Sequence, residues 1–341
     1  MILLFLVVCA IPVRAIDLTA PQVPEFGQEF MPEDTSNLQT GLKELLHNAM
    51  MQLRPDLKEA TKVCLGIVAA VMVVSVIRIA PGSTGKSADL AGTVAISGMF
   101  LSAAGALVNL GTETVMEVSN YGKLLLPALT AALAAQGGIT TSSALYAGTA
   151  LFDSILSSLI NKALVPMIYL FLAVSAATSA VGNDLLKKLR DTVKWFMTWS
   201  LKTILYVFTG YISITGVVSG PTDAAALKAA KLTISGVIPV VGGILSDASE
   251  AVLVGASTVK NSIGLYGLFA VIAIWIDPFL KIGAHYLLLR FTGGICSIFA
   301  GKQLADLIQD FAAAMGFLLA MTGAVCLMLL ISIICFMRGV G

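Results

Sequence analysis

Residues 311–337 read FAAAMGFLLAMTGAVCLMLLISIICFM, 27 consecutive residues without a charge. An α-helix rises about 1.5 Å per residue, so about 20 apolar residues cross the roughly 30 Å hydrocarbon core of a bilayer. This run crosses with length to spare for tilt. Arg338 follows it, and KQLADLIQD at 302–310 precedes it as a small amphipathic helix.

The rest of the chain agrees with that reading. Of 341 residues, 57% are hydrophobic and 12% charged, and the mean hydropathy is +0.91. Soluble domains carry about 25% charged residues, so there is too little charge here to cover a water-facing surface. The sequence predicts an all-α, polytopic membrane protein with six to eight transmembrane or re-entrant helices. A formal net charge of +1 gives no electrostatic footprint for nucleic acid. The five cysteines, Cys9, Cys64, Cys296, Cys326 and Cys335, lie in apolar runs and form no CxxC pair, so neither a disulfide framework nor a zinc site is signalled.

Apolar runs alternate with polar breaks along the chain. Residues 2–13 form a short apolar stretch before Val13-Arg14-Ala15, a pattern close to a secretory cleavage site, and a signal peptide over 1–15 is expected. Residues 16–62 carry eight acidic and four basic side chains, an acidic lead placed outside the cytoplasm. A multi-span membrane domain is expected over 63–341. Its first spans are 63–80 and 90–110, and 163–181 is another. Between them LLLPALTAALAA is interrupted by QGGITTSS, so 124–160 reads as a broken helix, a hairpin or a re-entrant pair. GNDLLKKLRDTVKW at 182–195 repeats apolar residues at helical spacing and is rich in Lys and Arg, which predicts a cytoplasmic surface helix. A span at 196–220 follows, then PTDAAALKAAKL as a short helix or linker. Residues 263–276 read as an apolar run that stops at Asp277-Pro278, and 286–300 contains Arg290.

Enzyme motifs are missing from the sequence. PGSTGKS at 81–87 resembles a phosphate loop, but the Walker pattern needs Gly where Ala80 stands. His47 and His285 are the only histidines, no HExxH occurs, and Ser97 and Ser235 lack a preceding Gly. No enzyme, cofactor or metal site is expected.

Two strings place a Pro ahead of a Gly pair, once in each half: Pro127 with Gly137 and Gly138, and Pro239 with Gly242 and Gly243. Such breaks free backbone groups that hydrocarbon cannot satisfy, so they persist where they pack in protein or line a wet cavity. Paired interruptions point to a transporter's substrate site, whereas glycines that let helices approach closely are the plainer explanation. Asp247 and Glu250 read as a capping box at a helix start, or as a polar pore lining. Asp153 and Asp277 lie nearer membrane depth, where ionisable residues are functional candidates.

The strings IPVVGGILSDASEAV (238–252), LLLPALTAALAAQGG (124–138) and NLGTETV (109–115), with the acidic lead and the long terminal span, resemble the stage III sporulation protein AE family of endospore-forming bacteria. The resemblance runs from about residue 40 to the end and is most specific over 239–248. It implies a multi-pass protein of the mother-cell-derived outer forespore membrane. It implies as partners other stage III membrane and ring proteins, a secretion-type ATPase and a forespore membrane protein. Together these form a transenvelope channel, or feeding tube, needed for late forespore gene expression. The family supplies no catalytic residues. Two other classes fit the same residues, a self-contained secondary transporter and a non-conducting scaffold for soluble ring proteins.

Overall fold

The structure, a computed structural model, describes the backbone of residues 20–79, 85–237 and 242–338, and the side chains of 20–78, 87–215 and 258–338. Every regular element among the described residues is helical. After a single turn, α1 (Glu25–Gln28), come α2 (Leu38–Ile79), α3 (Gly85–Ala135), α4 (Ile139–Leu159), a π-helical turn (Ile160–Leu164), α5 (Val165–Val181), α6 (Asp184–Val237), α7 (Gly242–Phe299) and α8 (Lys302–Arg338).

The helix boundaries have local causes. The Asn37 side chain accepts the Gln39 amide and caps α2. α3 ends in a Schellman turn, in which Gly138 donates to the Leu133 carbonyl and Gly137 to that of Ala134. Gly137 sits at φ +94°, where a Cβ would clash with the backbone, and this is what requires glycine. The 124–160 region is therefore a helical hairpin. The π-helical turn before Pro166 absorbs a proline that has no N–H to continue the ladder. At Gly182, φ +72° ends α5, and the next residue, Asn183, caps α6 by accepting the Leu185 amide. The expected break at 182 is present, and the helix expected over 182–195 is the first part of α6, continuous with the expected span at 196–220.

Two expected interruptions are absent: α6 continues through PTDAAALKAAKL, and α8 joins 302–310 to the terminal span. α2 is continuous through Pro55 and from the acidic lead into the first span. The predicted stop at Asp277-Pro278 is corrected, because α7 passes through it. An interior proline costs a helix about 3 kcal/mol. α7 is packed against α2, α3 and α8, with Ala273, Ile274 and Ile276 buried, and that packing outweighs the local penalty.

Five helical stretches are long and apolar enough to cross a membrane among the described residues: Leu38–Arg78, Ser87–Ala135, Ile139–Val181, Thr258–Phe299 and Lys302–Arg338. α8 is central to the bundle. Its apolar window, like that of α7, is 61% buried inside the protein, against 28% for that of α2. It runs alongside α3, where Phe100 stacks on Phe311 with centroids 4.1 Å apart, and antiparallel to α7, where Gly316 faces Tyr286. Phe171 of α5 meets Phe317 edge-on. α2 lies at the edge and exposes Leu65, Met72, Val73, Val76 and Ile77, a face for lipid.

Candidate functional site

Polar side chains gather where α5 ends and α6 and α8 begin. Ser175, Thr178 and Ser179 share one face of α5, Lys187 and Arg190 are one turn apart on α6, and Gln303, Asp306 and Asp310 share a face of α8. Arg190 Nη1 donates to Asp310 Oδ2 at 2.9 Å, and its Nε donates to Asp191 at 3.1 Å. The two side chains of the Arg190–Asp310 pair are only 18% and 13% exposed. Burial alone would disfavour the Arg190 cation, but the Asp310 and Asp191 carboxylates outweigh it and hold the guanidinium above its ordinary value. Ser179 donates to the Gln303 carbonyl at 3.0 Å and lies 3.1 Å from the Thr93 hydroxyl of α3. At the same end, Ser75 of α2 donates to the Phe299 carbonyl and Arg78 pairs with Asp89 at 3.4 Å. The seam thus ties together the ends of six helices.

Asp153 is buried in α4, with 5% of its surface exposed. The Ser119 hydroxyl of α3 donates to its Oδ2 at 2.5 Å, and its Oδ1 has no hydrogen-bond partner among the described residues. Asp277 pairs with Lys281 at 2.9 Å, and the same ammonium lies 3.8 Å from Asp56 of α2. That bridge joins the helix carrying the acidic lead to α7. Pro127 is an exposed residue in the interior of α3, and Gly137 and Gly138 form the hairpin tip. Asp153 follows that tip by 15 residues, about 22 Å along α4. Asp153 and Asp277 are held by separate helix pairs, α3–α4 and α2–α7. Pro239 lies outside the described residues. Gly242, Gly243, Asp247 and Glu250 fall in the first turns of α7, and their side chains are outside the described residues too.

The Arg190–Asp310 pair escapes sequence reading. Its partners are 120 residues apart, and Arg190 looks like one cation among several on a surface helix. The available hint was Asp310 itself, an acid set directly against a 27-residue apolar run.

Comparison with known proteins adds a family assignment to this geometry. The family model described as Stage III sporulation protein AE matches residues 25–339. Stage III sporulation protein AE of Bacillus subtilis (strain 168) is 23% identical over 226 residues, covering 66% of this chain and 57% of the relative. No solved structure matches the chain.

Proposed function

The chain belongs to the stage III sporulation protein AE family, and from that premise we propose that it is a non-enzymatic membrane subunit of the sporulation channel between mother cell and forespore. The observation that carries the proposal is the family match over nearly the whole chain, on a protein with five helical stretches able to cross a bilayer among its described residues. In this reading the bundle sits in the mother-cell-derived outer forespore membrane. The signal segment and acidic lead lie on the extracytoplasmic side, and the Arg190–Asp310 seam lies at the cytoplasmic face. Energy comes from a partner secretion-type ATPase, and ring-forming sporulation proteins continue the conduit towards a forespore membrane protein. The Lys281 bridge from Asp277 to Asp56 couples the lead to the bundle, which lets a partner docked on the lead act on the membrane domain.

Deleting the gene should leave engulfment intact and block late forespore gene expression. The chain purified from sporulating cells should bring down its membrane, ring and ATPase partners. Loss of vegetative growth, or rescue of spores by a single nutrient, would favour a transporter. Partner recruitment without any flux in a reconstituted complex would favour the scaffold.

A further inference from the structure

A second feature lies beside the charged seam. Between α6, α7 and α8 is an open groove of about 340 Å³ with a mixed lining. Its walls are apolar, contributed by Leu201 and Leu205 of α6 and Phe317 of α8. Three cations stand on it: Lys194 and Lys202 from α6 and Arg290 from α7. No acidic side chain lines the groove among the described residues. The nearest carboxylate along α8, Asp310, is already engaged by Arg190. Arg290 uses one N–H on Gln309, at 2.6 Å, and its other donors have no hydrogen-bond partner among the described residues. Lys194 and Lys202 form no ion pair among the described residues, and both are exposed.

Two further observations fix the setting. Gly316 lets the groove floor approach Tyr286, where an added Cβ would come within 3.2 Å of the ring, so the floor is closely packed and preformed. Trp195 and Trp199, stacked with centroids 6.0 Å apart and exposed on α6, stand at the level of Lys194, as aromatic side chains do at a membrane–water boundary. Cations at headgroup level above an apolar wall match a molecule with a phosphate at one end and an acyl chain at the other. An isolated phosphate would leave the Leu201–Phe317 wall unused.

We propose that this groove binds one anionic phospholipid, its phosphate held by Lys194, Lys202 and Arg290 and one acyl chain laid along α6 and α8. The proposal needs the bundle to sit in a bilayer and does not need it to conduct. Cations at an anionic leaflet surface contribute about 1 kcal/mol each, so removal of one should weaken binding roughly five-fold.

The test uses the full chain purified in mild detergent and titrated with phosphatidylglycerol or phosphatidylcholine, with bound lipid counted by native mass spectrometry. One phosphatidylglycerol should be retained in preference to phosphatidylcholine. Lys202→Gln and Arg290→Gln should each weaken that retention about five-fold, and Lys123→Gln on α3 should leave it unchanged. Lys202 is exposed, so its substitution is compatible with folding and keeps the test valid should Arg290→Gln fold poorly. Equal retention of the two lipids, equal loss in Lys123→Gln, or displacement of the lipid by millimolar inorganic phosphate would each overturn the assignment. Retention unchanged in Lys202→Gln and Arg290→Gln alike would also overturn it and leave the groove to an acidic partner helix.

Discussion

Arg190 of α6 and Asp310 of α8 meet at 2.9 Å across 120 residues of sequence, each side chain less than one-fifth exposed. Asp310 stands one residue before the apolar run that is central to the bundle. The pair therefore fixes where α6 enters relative to α8. A largely desolvated charge is costly when alone, so breaking such a pair from one side does more damage than removing both members.

Arg190→Ala should destabilise the purified protein by about 3 kcal/mol, and Asp310→Ala by a similar amount. The double variant should cost clearly less than the two single losses added together. Thermal unfolding in detergent for the four proteins of the cycle gives the coupling. Additive losses would mean that the two groups do not depend on each other.

Gly148 of α4 lies under the ring of Tyr211, whose hydroxyl donates to the Ala144 carbonyl at 2.7 Å. A Cβ at 148 would overlap the Cε1 edge of that ring, so even Gly148→Ala must displace it, at a cost of roughly 1–3 kcal/mol. Tyr211→Phe, which loses only the hydrogen bond, should cost about 1 kcal/mol. Adding Tyr211→Ala to Gly148→Ala should recover part of the loss caused by the alanine. Unfolding midpoints compared across the set decide it, and a Gly148→Ala protein as stable as wild type contradicts the contact.

Ser119→Ala removes the one hydrogen-bond donor to the buried Asp153 carboxyl among the described residues and should cost about 1–3 kcal/mol. Asp153→Asn keeps the volume and a polar partner for Ser119. It should reach the membrane at wild-type level while lowering the spore count at least about ten-fold, as expected of a functional ionisable group at membrane depth. Membrane level and spore count measured side by side separate the two roles. If both fall together, Asp153 is a packing residue.

The topology can be read with thiols. Glu33 and Lys188 are both exposed, and the described native cysteines are buried or half-buried, so the labelling background is low. Cysteines introduced at Glu33 and at Lys188 should react from opposite sides with a membrane-impermeant reagent. Labelling of both from one side would reverse the placement of either the lead or the α6 entry.

Composition and periodicity by themselves determined that this chain is an all-α membrane protein. An apolar run too long for anything but a bilayer, in a chain with 12% charge, leaves no soluble alternative. Local chemistry also marked the stops at Gly137-Gly138 and Gly182, because a left-handed glycine ends a helix whatever surrounds it. Family membership was legible from short strings such as NLGTETV. The tertiary structure decided which prolines matter. Pro55, Pro127 and Pro278 all sit inside continuous helices, since packing against neighbours can outweigh a local penalty of about 3 kcal/mol that a sequence reader must take at face value. It also decided which charges meet. Arg190 with Asp310, Lys281 with Asp56, and the Lys194–Lys202–Arg290 groove each join side chains from different helices. Helical periodicity places a residue on a face, and only the docking of helices determines which faces touch.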